Sequence, residues 1–144
     1  MDVIWGVIVL VISLIGWLGQ AITAFSPELA ARWGVTEPED DVDSTFYADV
    51  HGEAYWDTLT IWTLPVAGLL LILNSSAWPY FGLVGGGMYL YFAGRGMVVR
   101  WIMQRRAIRI GKPETLKTIY VFLTVWGLVG VITIAMAAGD LRSP

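Results

Sequence analysis

The stretch Thr118–Ala138, TIYVFLTVWGLVGVITIAMAA, contains 21 residues and no charge. A helix of about 20 apolar residues crosses the hydrocarbon core of a bilayer, because each residue rises ~1.5 Å and the core is ~30 Å thick. Three further segments reach that length: Val3–Ala24, Ala54–Leu73 and Trp78–Val99. The sequence therefore predicts an all-α fold, a bundle of four transmembrane helices.

The composition agrees with lipid as the solvent. Apolar residues make up 56% of the chain and charged residues 15%, whereas a soluble domain carries about 25% charged residues. Helices at about 3–24, 44–73, 78–104 and 115–138 leave only loops between them, so residues 1–144 are predicted to form a single integral membrane domain. A short interfacial helix is predicted at about 26–33, where Ser26 would cap the helix, Pro27 suits its first turn and Gly34 its end.

The ionisable residues of the predicted membrane helices fall into an acidic run and a basic run. They are Asp49, Glu53 and Asp57 in the second helix, and Arg95, Arg100 and Arg105 at the end of the third. In a helical hairpin, the residue numbers of each facing pair add up to nearly the same value. This rule pairs Asp57 with Arg95, and because the two runs of charges have different spacings, this pair nearest the membrane interior is predicted to be the best aligned. The pairs nearer the loops would be Glu53 with Arg100 and Asp49 with Arg105.

Two interpretations of these charges stay open. They could be a structural staple that fixes the register of the two helices. They could instead form a polar pocket, open to the cytoplasm, that binds an acidic headgroup, a quinone-like ring or a proton. The ion-pair and ligand candidates are Asp49, Glu53, Asp57, Arg95 and Arg100, and the candidate wall residues are Tyr47, Tyr55, Trp56, Tyr89 and Tyr91. Aromatic residues are also common at membrane boundaries, where they form belts.

Several kinds of chemistry are disfavoured. The chain has no cysteine, which excludes disulfides, thiolate metal sites and cysteine nucleophiles. His51 is the only histidine, and on a helix it points away from Asp49 and Glu53, so neither a metal site nor a cofactor is predicted. No serine lies in a G-x-S-x-G elbow. A net charge of −3 argues against nucleic acid as a partner.

Small residues and prolines predict how the helices pack. Gly82 and Gly86 give the third helix a flat face, which could pack within the chain, against other membrane subunits or in a homo-oligomer. Pro65 predicts a kink in the second helix, with Thr60 and Thr63 available to bond the freed carbonyl group. The acidic segment Thr36–Asp43 is predicted to be a solvated link.

Three stretches carry a resemblance to a known family. They are FSPELA at Phe25–Ala30 with Trp33-Gly34 after it, ADVHGE at Ala48–Glu53, and Gly94-Arg95 at the end of the glycine-rich third helix. In these patterns the chain resembles the DoxX-like and related small four-helix membrane proteins of bacteria. Members of that group are largely of unknown function, and some are linked to quinone-coupled oxidation or redox homeostasis.

We therefore expect an integral protein of the bacterial inner membrane with the lipid bilayer as its surroundings. Its expected role is an accessory or small-ligand-binding component of a membrane complex, without catalysis. One alternative is an enzyme or redox partner that acts on a lipid or quinone, with Arg95 stabilising an anion and the three acids as proton donors or acceptors. A second alternative is an oligomeric proton or ion conductor. Conduction needs a hydrated path across the whole membrane, and the outer halves of the four helices offer only hydroxyl groups for it.

The basic residues predict the orientation. They cluster after the third helix, as Arg100, Arg105, Arg106, Arg109, Lys112 and Lys117. Because short loops rich in Lys and Arg stay in the cytoplasm, this loop is predicted to be cytoplasmic and both termini to lie outside the cytoplasm.

A reporter fused after Pro144 tests this orientation. We expect alkaline phosphatase at this position to be active and green fluorescent protein to be dark, because the former folds only outside the cytoplasm. The same reporters inserted at Gly111 serve as the control and are expected to give the opposite result. Fluorescence without phosphatase activity at Pro144 would contradict the predicted orientation.

Overall fold

The computed structural model describes residues 2–142, and this range is helical without strands. The helices are α1 (Asp2–Phe25), α2 (Pro27–Arg32), α3 (Ser44–Thr60), α4 (Thr63–Ile72), α5 (Trp78–Arg105) and α6 (Pro113–Asp140), with a 3₁₀ turn at Glu39–Asp41. Met1, Ser143 and Pro144, which the single-domain prediction includes, lie outside the described residues.

Three segments are long and apolar enough to cross a membrane: Val3–Phe25, Ser44–Ile72 and Pro113–Asp140. Large apolar side chains cover the outside of the bundle; Ile4, for example, is 70% exposed. These features support a multi-pass membrane protein. The predicted fourth span, α5, has 28 residues but includes Arg95 and Arg100 and is not among the three.

The predicted kink occurs as a break between α3 and α4, at Ile61 and Trp62. Pro65 has no N–H group for the carbonyl oxygen of Ile61, which instead accepts a bond from the Leu64 N–H at 3.3 Å. The Thr63 hydroxyl donates to the carbonyl oxygen of Thr60 at 3.2 Å. A threonine thus helps to close the break, but at a different carbonyl from the one predicted.

Glycines bring α4 close to both of its neighbours. A Cβ atom on Gly68 would lie 2.6 Å from the backbone nitrogen of Leu10 in α1. A Cβ atom on Gly85 of α5 would lie 2.6 Å from the Cα of Leu64 in α4. Real Cβ contacts are not this short, so only glycine fits at these two positions. Close backbone approach is how helices associate in lipid, where apolar burial provides little driving force.

The glycine face of α5 packs against α6. A Cβ atom on Gly86 would lie 2.8 Å from the carbonyl oxygen of Gly130, and one on Gly82 would lie 3.1 Å from the Cβ of Ala137. Both glycines are buried. The single chain therefore occupies this face itself, and an oligomer formed through it would require α6 to move.

The first loop, between α2 and α3, is docked on the basic loop between α5 and α6. The prediction of a solvated link over Thr36–Asp43 therefore holds for the exposed residues 38–40 and is wrong for Glu37 and Val42, which are buried. Glu37 is buried, and its carboxylate accepts a bond from the Lys112 N–H at 3.0 Å. Gly111 has a φ of +116°, and a Cβ atom there would lie 2.6 Å from the Glu37 carboxylate. Acidic residues suggested solvation, but backbone donors on the facing loop satisfy the Glu37 side chain.

A second set of bonds joins the loops at the start of α3. The Asp43 N–H donates to the Arg109 carbonyl oxygen at 2.7 Å, and the Arg109 guanidinium donates to the Val42 carbonyl oxygen at 3.1 Å. The Asp43 side chain caps α3 by accepting the Thr45 N–H. That hydrogen bond lowers the pKa of Asp43 below its usual value.

The short helix α2 forms where the sequence predicts it. Gly34 follows its end with a φ of +70°, a conformation that glycine adopts without strain. Ser26 precedes it but forms no side-chain cap, so that detail of the prediction is wrong. Pro27 at the start of the helix has no N–H group, so one of the unpaired donors of a helix N-terminus is absent there.

The contact of Gly85 with α4 gives a stability prediction. We expect Gly85→Ala to lower the free energy of unfolding by about 2 kcal/mol, because the added methyl group overlaps the Leu64 backbone. Gly87→Ala is the matched control, since a Cβ atom there meets nothing within 4 Å, and it should leave stability unchanged or raise it. Thermal unfolding in detergent measures both. Equal melting temperatures for the two variants would contradict the tight contact.

Candidate functional site

Arg95 joins α5 to α3 through two carboxylates. Its Nη2 lies 2.7 Å from Asp49 Oδ1, and its Nη1 lies 2.8 Å from Glu53 Oε1. The Asp49 contact is a hydrogen bond, and the Glu53 contact is an ion pair. The side chains of Arg95 and Asp49 are about a quarter exposed, and that of Glu53 is 9% exposed.

The predicted pairing of Asp57 with Arg95 is therefore wrong. The long Arg95 side chain reaches the two acids nearer the loops, as arginines in membrane helices commonly do. Asp57 is 3% exposed, and its Oδ2 forms no hydrogen bond among the residues that the structure describes. The numbering rule compares positions along straight helices and neglects the reach of a guanidinium group.

The other two predicted pairs are also wrong. Arg100 donates from Nη1 to the carbonyl oxygen of Gly96 at 3.0 Å, and its guanidinium lies 5.5 Å from the ring centroid of Phe46. Its Nε is buried and has no hydrogen-bond partner. Arg105 lies over the Trp101 ring at 4.5 Å. Aromatic rings therefore take the place of the expected carboxylates for both arginines.

A cavity of about 260 Å³ lies between α1 and α6 at the end of the bundle where the two long loops meet. Its walls include residues of α1, the first loop, α3, α5 and α6. The polar lining residues are Gln20, Thr23, Thr36, Glu37, Glu53, Arg100, Thr115 and Thr118, and the large apolar ones are Ile15, Val35, Phe46, Val50, Phe92, Ile119, Phe122, Leu123 and Trp126. Among the five predicted ligand residues, Glu53 and Arg100 line this cavity, and Asp49, Asp57 and Arg95 do not.

The predicted aromatic walls lie elsewhere. Tyr55, Trp56 and Tyr91 are 46%, 61% and 60% exposed and face outward. Tyr47 and Tyr55 flank His51, with ring centroids 5.8 and 5.3 Å from the imidazole. Tyr89 is fully buried, and its hydroxyl donates to the carbonyl oxygen of Ser13, so it joins α5 to α1. None of the five predicted wall residues lines the cavity.

The cavity extends from the predicted pocket residues Glu53 and Arg100 toward α1 and α6, and α1 carries the signal for it. Gly16, Gly19, Gln20 and Thr23 line the cavity and share one face of that helix, because residues three and four apart are neighbours. A stripe of small and polar residues in an otherwise apolar span marks a face that meets protein rather than lipid. The sequence-based prediction placed the pocket at the charged residues of α3 and α5 and did not use this stripe.

Trp126 closes the end of the cavity nearest the middle of the bundle. Its indole N–H donates to the carbonyl oxygen of Ile12 at 3.0 Å. A Cβ atom on Gly16 would lie 3.1 Å from the same ring, which shows how closely α1 and α6 approach there. Trp17 adds a second bond of this kind by donating to the Thr58 carbonyl oxygen of α3 at 2.9 Å.

Within residues 2–142, no three histidine or carboxylate side chains are grouped to hold a metal ion. Comparison with protein-family models, curated proteins and solved structures gives no match at a significant level. The resemblance to DoxX-like proteins accordingly has no support beyond the sequence patterns that suggest it. The arrangement of the cavity is the feature from which function can be argued.

The shared contact of Arg95 predicts a loss of stability when it is removed. We expect Arg95→Met to lower the free energy of unfolding by about 2 kcal/mol, because Asp49 and Glu53 then repel each other without a cation. Adding Asp49→Asn and Glu53→Gln should restore part of the loss. The control is Arg105→Met, whose guanidinium contacts only an exposed ring. Equal thermal unfolding of the two single variants would contradict the role of Arg95.

Proposed function

We propose that this chain is a small-ligand-binding protein of the membrane, whose ligand occupies the cavity between α1 and α6 and is not chemically changed there. The observation that carries the proposal is a partly enclosed space of about 260 Å³ whose walls combine a few polar groups with apolar side chains. Concave sites with mostly apolar walls and a few polar groups are typical of small-molecule binding. This volume lies below the range of about 300–1,000 Å³ for drug-sized ligands, so the ligand is a compact molecule rather than a phospholipid.

The proposal includes α5 as a fourth membrane span. This helix packs between α4 and α6, and its glycines meet backbone atoms of both neighbours. This packing supports a path for α5 across the bilayer beside the other long helices. Two carboxylates on α3 offset the charge of Arg95, which lowers the cost of placing that residue near the edge of the hydrocarbon core.

The proposal also includes the position of the protein in its membrane. The exposed Trp33 at the end of α2 supports an interfacial position for that helix, because tryptophan favours the headgroup region. The basic loop supports a cytoplasmic position for the cavity end of the bundle. The inner membrane of bacteria and membership of the DoxX-like group remain parts of the proposal that rest on sequence resemblance.

The contacts of the charged residues favour binding over catalysis. The proposed anion-stabilising role of Arg95 is disfavoured because two carboxylates already occupy its guanidinium. Asp57 does not line the cavity and so has no contact with a molecule held there. The bond between Trp126 and Ile12 closes the cavity toward the middle of the bundle, which argues against a conducting path through it.

Filling the cavity tests the proposed function. We expect native mass spectrometry of the protein in mild detergent to show one bound small molecule in the wild type and none in Gly19→Leu. Gly19 lines the cavity, and a Cβ atom there meets only Val35 at 3.6 Å, so the larger side chain extends into the open space. The matched control is Gly87→Leu on the exposed face of α5, which should retain the molecule.

Two results would contradict the proposal. One is equal ligand occupancy in Gly19→Leu and Gly87→Leu when both variants elute as folded protein in size-exclusion chromatography. The other is the absence of any small molecule together with a stoichiometric protein subunit, which would instead support an accessory role through the outer surface. Chemical conversion of the captured molecule by the purified wild type would favour the enzyme alternative.

A further inference from the structure

Two oppositely charged side chains belong to the wall of the same cavity, those of Glu53 and Arg100. Arg100 Nε is buried and has no hydrogen-bond partner among the described residues, whereas Glu53 Oε1 lies 2.8 Å from Arg95 Nη1. A buried polar group without a partner costs free energy that a bound molecule or an ordered water can recover. The guanidinium is a hydrogen-bond donor and the carboxylate is an acceptor with a second oxygen.

The charges near the cavity limit the charge of its occupant. Asp49 and Glu53 offset Arg95 and Arg100 one for one, so an anionic ligand would add an uncompensated negative charge. Any negative charge on Asp57, one helical turn from Glu53, would oppose an anion further. A cationic ligand would meet the Arg100 guanidinium in the cavity wall. An uncharged ligand is therefore favoured over both an anion and a cation.

We infer that the occupant is an uncharged amphiphile with a hydroxyl headgroup, such as a phenol or an alcohol on a compact apolar body. This inference rests on the proposed function of the cavity. A hydroxyl group accepts from one partner while it donates to another, so it can bond to the Arg100 guanidinium and the Glu53 carboxylate together. A carbonyl or ether oxygen can serve only the arginine.

The rest of the cavity suits the apolar part of such a molecule. Phe122 and Trp126 stack with ring centroids 5.5 Å apart, and both line the cavity together with Leu123. An aromatic or short aliphatic body would contact these side chains while its hydroxyl group lies at the Glu53 and Arg100 end. Aromatic walls of this kind contribute through apolar burial and ring contacts.

The test uses four probes that share one apolar body: para-butylphenol, para-butylanisole, butylbenzene and para-butylbenzoate. Their affinities for the detergent-solubilised protein are measured at about pH 8, where the benzoate is ionised. We expect para-butylphenol to bind about tenfold or more tightly than each of the other three, because hydrogen bonds to charged groups are among the stronger ones. The series needs no variant, so a folding defect cannot obscure it.

Two variants then test whether the preference for para-butylphenol arises in the cavity. Arg100→Met should reduce the advantage of para-butylphenol over butylbenzene severalfold. Arg105→Met removes the same charge from an exposed residue that does not line the cavity, and it should leave the advantage unchanged. Thermal unfolding of both variants verifies that they are folded before binding is compared.

The outcomes separate the two proposals. If Gly19→Leu abolishes binding of all four probes but the wild type does not distinguish them, the hydroxyl inference is overturned and the cavity function stands. Tightest binding of para-butylbenzoate would overturn the inference in favour of an anion site. If Gly19→Leu changes the binding of no probe, both proposals are overturned.

Discussion

The bundle depends on close approach of helix backbones at glycines. In lipid, apolar side chains gain little by leaving one apolar surface for another, so association relies on tight contact. Gly68 and Gly85 bring α4 against its neighbours on both sides, and Gly86 meets Gly130 between α5 and α6. The remaining contact, between α1 and α6, is the least extensive of these. There Trp126 holds the helices together at one level, and the cavity lies beside it. The cavity thus lies where α1 and α6 are no longer in close contact.

The charges of α3 and α5 serve mainly to stabilise the structure. Arg95 lies between two carboxylates and fixes the position of α5 against the start of α3. Since Glu53 is one of these carboxylates and also lines the cavity, the same contact holds part of the proposed binding site in place. The structural and ligand-binding interpretations of the charges are therefore connected through Glu53, while Asp49 contributes only to the structural one.

The sequence was sufficient to predict the all-helical fold and the helix bounds within a few residues, because apolar length and helix-breaking residues are local properties. The break near Pro65 and the end of α2 at Gly34 were predictable for the same reason. The partner of Arg95 was not, since a long side chain can reach acids a full turn from the facing position. The docking of the first loop was also missed, because the backbone N–H of Lys112 that binds Glu37 has no signature in the sequence. The stripe of small and polar residues on α1 could have predicted one wall of the cavity.

The bonds between the first loop and the basic loop have a consequence for how a ligand reaches its site. Glu37 lines the cavity and is held by the Lys112 N–H, so a hydrogen bond between the loops fixes part of the cavity wall. On the opposite side, Ile15 and Phe122 also line the cavity and are 57% and 48% exposed on the outer surface between α1 and α6. An opening between these two side chains would connect the proposed site with the acyl chains of the bilayer. The occupancy of the site would then follow the concentration of ligand dissolved in the lipid rather than its concentration in water.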